Sequence, residues 1–419
     1  RLFLTGALRV DNNSAFGSDV DFVAYPKASL SYVMTEEPRV RELLPDAVET
    51  FKLRMAYGQS GTQPAIFSAL RTFAAVTGPN GTPAITPSTV GNPDLKPERG
   101  EEIEVGFDAG LLDDRLGFDF TYYHKRTRDG ILLRATPPSE GFSGSRYINA
   151  GALLNTGIEA LIHATPIRSD RLVWDMSLNV ATNRGKVEQL AGGDTTIISG
   201  WIQHRIGYAP QSWFREKVVS AKYDPATDQV TDVMCDDGEG GMTPCYDASG
   251  NVVAPRVFIG RTVPSMEGSF NTTVTVFGNI VLAGMVDFKT GYKKYNNNYQ
   301  ARCVEFRTCL ENMYPERYDP KLIAQIRSGG RLTHSFHEDA SFARLRELSL
   351  TYNLTPAQAA RLLGSRNASV QVAARNLYTW ALAGYTGLDP EAHYLSAGFD
   401  EQSMMPALMQ LVASVNVSF

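Results

Sequence analysis

The closing stretch Met409-Gln410-Leu411-Val412-Ala413-Ser414-Val415-Asn416-Val417-Ser418-Phe419 alternates almost without a break. Met409, Leu411, Ala413, Val415, Val417 and Phe419 fall on one face; Gln410, Ser414, Asn416 and Ser418 fall on the other, with Val412 as the apolar intruder. Successive side chains of a strand point to opposite faces, so this segment has one apolar wall and one polar wall. Its last residue is aromatic.

Working outward, the same alternation recurs in about twelve segments of the 419-residue chain. Residues 2–10, 21–35, 51–58, 102–109, 116–125 and 158–164 read as strands, followed by 172–180, 270–276, 280–289, 348–354 and 368–378. In the fourth of these, Ile103, Val105, Phe107 and Ala109 oppose Glu102, Glu104 and Asp108. In the tenth, Leu348, Leu350, Tyr352 and Leu354 oppose Glu347, Ser349, Thr351 and Asn353.

The connections sort these strands into up and down. Short turns lie at 111–115, 166–171 and 277–279, and medium ones with helix-like pieces at 36–49 and 355–367. Long Gly/Pro/Asn-rich segments, expected to lack regular structure, occupy 60–100, 129–150, 185–264, 291–340 and 381–408. Short and long connections alternate along the whole chain, as tight periplasmic turns and long extracellular loops do in an outer-membrane barrel. The competing soluble sandwich would use strands of roughly 5–6 residues, whereas a tilted bilayer-crossing strand needs ~9–11. The alternation therefore predicts an all-β, antiparallel transmembrane β-barrel, closed so that every backbone group is paired.

Bulk composition excludes little but agrees. Charged residues make up 20% of the chain, with 36 Gly and 22 Pro, so it is neither disordered nor collagenous. A net charge of −5 argues against nucleic acid as a partner. No apolar run reaches the ~18 residues of a membrane helix. No signal peptide opens the chain, and Arg1-Leu2-Phe3-Leu4 already reads as strand, so the start of the protein is expected to be missing.

Five segments carry a resemblance. They are Leu4-Thr5-Gly6-Ala7-Leu8-Arg9-Val10-Asp11, Gly91-Asn92-Pro93-Asp94-Leu95-Lys96-Pro97-Glu98 and Asp339-Ala340-Ser341-Phe342-Ala343-Arg344-Leu345-Arg346-Glu347-Leu348. Ala374-Arg375-Asn376-Leu377-Tyr378-Thr379-Trp380 and Gly384-Tyr385-Thr386-Gly387-Leu388-Asp389-Pro390-Glu391 complete the set. In this order they resemble SusC/RagA-type members of the TonB-dependent receptor superfamily. The resemblance implies a 22-stranded barrel with an N-terminal plug, of which residues 1–419 supply the C-terminal barrel portion and no plug. It also implies TonB as energy source, acting through the missing plug, a SusD-like surface lipoprotein as lid, and glycans or oligopeptides as cargo. Phe419 resembles the recognition strand end read by the outer-membrane assembly machinery. A self-contained twelve-stranded barrel is the alternative.

No catalytic signature stands out, so the chain reads as a transport or binding protein rather than an enzyme, with no cofactor. His334 and His337 share i, i+3 spacing in a long loop without a third metal ligand and read as solvated. Gly238-Glu239-Gly240-Gly241 lacks the strand–helix surroundings of a phosphate cradle, and Glu101 and Glu102 alternate faces. Cys235 with Cys245, and Cys303 with Cys309, are expected to form disulfides in an exported protein, each closing a short extracellular loop. Asp236, Asp237 and Glu239 read either as a calcium cluster or as plain solvated acids.

The polar row of Glu102, Glu104, Asp108, Asp119, Glu159 and Asp175 is expected to face the lumen and hydrogen-bond a plug. Extracellular Trp201, Trp213, Tyr299 and Tyr385 are candidate substrate platforms, since aromatic faces suit sugar rings. The other reading makes them interfacial girdle or loop packing. The leading expectation is a TonB-dependent importer in outer-membrane lipid. The alternatives are a siderophore or cobalamin receptor of the same architecture, or a non-transporting barrel that anchors binding loops.

Overall fold

The computed structural model describes residues 1–18, 22–137, 139, 144–149, 151–190, 195–199, 202–392, 400–402 and 404–419. Thirteen strands form its main sheet: β1 (Leu2–Asp11), β2 (Val23–Val33), β3 (Val48–Thr62), β4 (Glu98–Leu111), β5 (Leu116–Arg128), β6 (Gly151–Arg168) and β7 (Leu172–Thr182), then β8 (Arg184–Leu190), β9 (Met266–Val276), β10 (Ile280–Thr290), β11 (Phe342–Asn353), β12 (Asn367–Ala381) and β13 (Gln410–Ser418). Neighbours in the sheet follow chain order, except that β8 pairs with β6 off the main path, whose two ends are β1 and β13. The chain divides into two compact units, Arg1–His163 with Ala181–Ser199 and His204–Pro210, and Ala164–Val180 with Gly200–Gln203 and Gln211–Phe419.

In the first unit the antiparallel register lines up the apolar positions of successive strands. Leu4 pairs with Leu30, Leu30 with Met55, Met55 with Val105, and Val105 with Tyr122. The adjacent row runs Leu2, Tyr32, Leu53, Phe107 and Phe120. These rows are not a core. Leu4 is 71% exposed, Met55 52% and Val105 46%. Soluble proteins rarely leave a contiguous apolar patch of such size uncovered; a sheet standing in lipid must.

The opposite face of these strands is polar and knitted by ions. Arg54 bridges Asp108 at 2.7 Å and Asp119 at 2.5 Å, Lys52 also reaches Asp108, and Lys125 meets Glu102 at 3.5 Å. Sheet side chains repeat with period two, so one register sets the rows of Leu53, Met55, Val105 and Phe107 on one side and the cluster of Lys52, Arg54, Asp108 and Asp119 on the other.

The second unit repeats the arrangement. Val276, Ile280, Tyr352, Val370 and Val415 form one continuous apolar row across five strands, and Val274, Leu282, Leu350, Val372 and Ala413 the next. The medium turn after β11 holds helix α2 (Pro356–Leu363), preceded in the chain by α1 (Pro320–Arg327). Thr355 caps α2 with a reciprocal capping box to Gln358, and Gly364 ends it at φ 63°.

The long segments depart from the sequence expectation, because they are folded. Thr72–Thr77 pairs with Pro83–Thr89, and Ile131–Ala135 with Ser145–Asn149. The segments before β9 and before β11 contain further short strands and helices with their own buried cores. Gly- and Pro-rich composition signals turns, and these loops turn often enough to hide short strands between them.

Candidate functional site

Among the described residues, the folded loops of the second unit carry most of the deeply buried side chains. One core gathers Trp213, Tyr295, Phe336, Ile323 and Ile326 around Cys303 and Cys309. Helix α1 supplies Ile323 and Ile326 from one face, with Asp319 capping its start through the Lys321 amide. A second core packs Val218 and Leu332 against Cys235 and Cys245. Both cysteine pairs lie at disulfide distance in the expected pairing, with Cα atoms 5.1 and 5.0 Å apart. Each therefore serves as the centre of a small core rather than a surface clip.

That placement redefines the aromatic candidates. Trp213 is 1% exposed, and its indole N–H donates to the Lys293 carbonyl at 3.0 Å. Tyr385 is buried, with its hydroxyl donating to Glu401 at 2.6 Å, and Tyr299 is half-buried and donates to Glu311 at 2.7 Å. Burial and the carboxylate partners push the Tyr385 and Tyr299 hydroxyl pKa values upward. Trp213 and Tyr385 are thus packed within the folded loops, while Tyr299 keeps part of its surface exposed. Trp201 lies outside the described residues.

The histidines are a correction too. His337 is 1% exposed rather than solvated; its ring stacks on Tyr295 at 4.8 Å and meets Trp213 edge-on at 4.6 Å. Its Nδ1 pairs with the Thr333 carbonyl at 2.9 Å, while Nε2 is buried without a partner. Burial, reinforced by Arg215, holds this imidazole well below its ordinary pKa, and burial with Lys293 brings His334 to about 4. Both stay neutral and structural at neutral pH.

The acidic loop behaves as a turn. Asp237 accepts from the Glu239 and Gly241 amides, and Asp236 accepts from the Gly238 amide and Lys217. Gly238 and Gly240 take positive φ to allow it. Backbone amides hold the Asp237 carboxyl below its usual pKa range.

A family model described as "TonB dependent receptor-like, beta-barrel" matches residues 1–232 of the chain. The chain belongs to this family. Among TonB-dependent receptors it is 25% identical to TonB-dependent receptor P3 of Formosa agariphila, over 94% of this chain and 41% of that protein. It is 23% identical to TonB-dependent receptor SusC of Bacteroides thetaiotaomicron, over 100% of this chain and 42% of SusC. A structure of the RagAB peptide importer in its closed-closed state aligns over 100% of the chain and 46% of its counterpart, with TM-score 0.81 at 23% identity. The open-open state gives TM-score 0.83 at 22% identity, over 100% of the chain and 45% of its counterpart. The chain thus spans less than half the length of the relatives it matches, and it is outer-membrane barrel in kind.

The segments that carry the SusC/RagA likeness turn out to be fasteners. Gly91 takes φ 73°, Leu95 is fully buried, and the Leu95 carbonyl accepts from the Gly17 amide at 2.8 Å. The Lys96 amide and carbonyl both bond to the Asn149 side chain, tying three loops of the first unit together. In the second unit Leu345 pairs with Tyr378 and Glu347 with Arg375, which places a bulge where the two motifs meet. Asn376 accommodates it at φ 52°. The residues missed by sequence reading are Arg344, Arg346, Asp389, Glu391 and Glu401, which form the buried polar network joining the third and fifth segments. Complementary charges in those two segments were the available signal.

Proposed function

We propose that the chain is the loop-bearing barrel portion of a nutrient importer of the SusC/RagA type, driven by TonB through a plug. Glycans or oligopeptides are the cargo in this reading, and a SusD-like surface lipoprotein is the partner over the extracellular loops. The observation that carries it is the joint one: a lipid-exposed antiparallel sheet whose long connections fold into disulfide-centred cores, aligning over its whole length with part of the RagAB peptide importer. Phe306, Leu310 and Met313 stand exposed on the loop module and offer apolar contact to a lid. The test is uptake of labelled oligopeptides and oligosaccharides by cells carrying the full-length receptor, with and without TonB. Uptake that disappears without TonB supports the reading, and undiminished uptake refutes it.

A further inference from the structure

We infer that residues 382–392 form a detachable strap, clasped by charge to the polar face of β10 and β11. Arg344 and Asp389 pair with only 4% of either side chain exposed. Arg344 also reaches Glu391 at 2.9 Å, and Arg346 bridges Glu391 at 2.5 Å and Asp287 on β10 at 2.7 Å. Glu338 holds Thr386 twice, through its amide at 2.9 Å and its hydroxyl at 2.6 Å. At the far side the fully buried Glu401 carboxylate accepts from the Tyr385 hydroxyl and the Leu388 amide.

Apolar burial in the clasp is small: Tyr385 packs with Tyr292 and Ala340, and Pro390 is buried beside Asp389. Leu382 is 55% exposed and Leu388 65%, so Tyr385 is the main hydrophobic contact the strap makes. A segment fixed by an apolar core exposes that core when it leaves. A segment fixed by ion pairs exposes groups that water solvates well, and the high desolvation cost of the closed state offsets much of the attraction. Such segments open locally, far below the free energy of global unfolding. The strap therefore comes off as one unit while β11 and β12 remain paired.

Hydrogen exchange on the full-length receptor in detergent micelles tests this, read at the Thr386, Leu388 and Asp389 amides, which all end on Glu338 or Glu401. In the native protein these amides are expected to exchange together and much faster than the ladder amides of β11 and β12. Arg344→Met with Arg346→Met is expected to speed them roughly tenfold or more and leave the ladder unchanged. Should that pair fail to fold, Glu391→Gln gives the same comparison from the partly exposed end of the clasp. Strap and ladder amides exchanging at one common rate would overturn the inference, as would variants that leave strap exchange untouched.

Discussion

His337 stands edge-on to Trp213 with ring centroids 4.6 Å apart, inside a core where its Nε2 finds no partner. A neutral imidazole tolerates that site. An imidazolium there would bury an unpaired N–H beside Arg215 and Lys293, both of which already oppose its charge.

The consequence is acid sensitivity confined to the loop module. His334 and His337 both hold their protons more weakly when folded than the ordinary value of 6.5. The unfolded segment therefore binds more protons, and stability must fall as pH falls. The module is expected to be at full stability above pH 6.5 and to weaken progressively toward about 4, the folded value of His334. Protection of the 333–337 amides, corrected for intrinsic exchange, should drop over that window while the sheet ladders hold. A flat profile from pH 7 to 4 would contradict the assignment.

Cys303 and Cys309 close a loop of 6 residues, and Cys235 and Cys245 one of 10. In the chain-entropy model each link contributes ~2–3 kcal/mol. Replacing both members of the Cys303–Cys309 pair by Ala is expected to lower the protease resistance of 291–341 and leave barrel assembly intact. Peptide mapping without reductant should recover both linked pairs.

Gly17 sits where a Cβ would come within 1.8 Å of the Pro93 carbonyl oxygen. Backbone cannot yield as a flexible side chain does. Gly17→Ala is expected to cost ~1–3 kcal/mol of local stability and to loosen the 91–96 segment, seen as faster exchange at the Leu95 and Lys96 amides. Gly6, with open space around it, provides the control substitution.

Met55 and Ala56 are neighbours on β3 that face opposite ways, Met55 in the apolar row with Val105 and Ala56 opposite Glu104. Arg at position 55 is expected to destabilise the membrane-embedded protein by ~2–4 kcal/mol, and Arg at 56 by far less. Refolding equilibria in lipid vesicles measure both. Equal penalties would mean that the two faces meet the same medium.

All twelve main-path strands were legible in the sequence because period-two patterning is local: Leu348, Leu350 and Tyr352 declare a strand face without reference to any other segment. Turns were legible for the same reason, down to the helix after Thr355. The loops were not. Trp213 is buried by Tyr295, Phe336 and His337, which lie 82, 123 and 124 positions further along by residue number, and no local pattern encodes such a meeting. The cysteines were the exception, since their spacing within each loop brought the right partners together. Arg344 and Asp389 were visible only as members of two separate motifs; what joined them was the fold.

The lipid-facing placement of the apolar rows underlies the whole transmembrane assignment. Spin labels placed singly at Val105 and Glu104 of the full-length receptor in bilayers test it most directly, by collision with a lipid-soluble and a water-soluble relaxant. The label at 105 should respond to the lipid-soluble agent and the label at 104 should not. A label at 105 that is shielded from the lipid-soluble agent, or reached better by the aqueous one, would contradict the account.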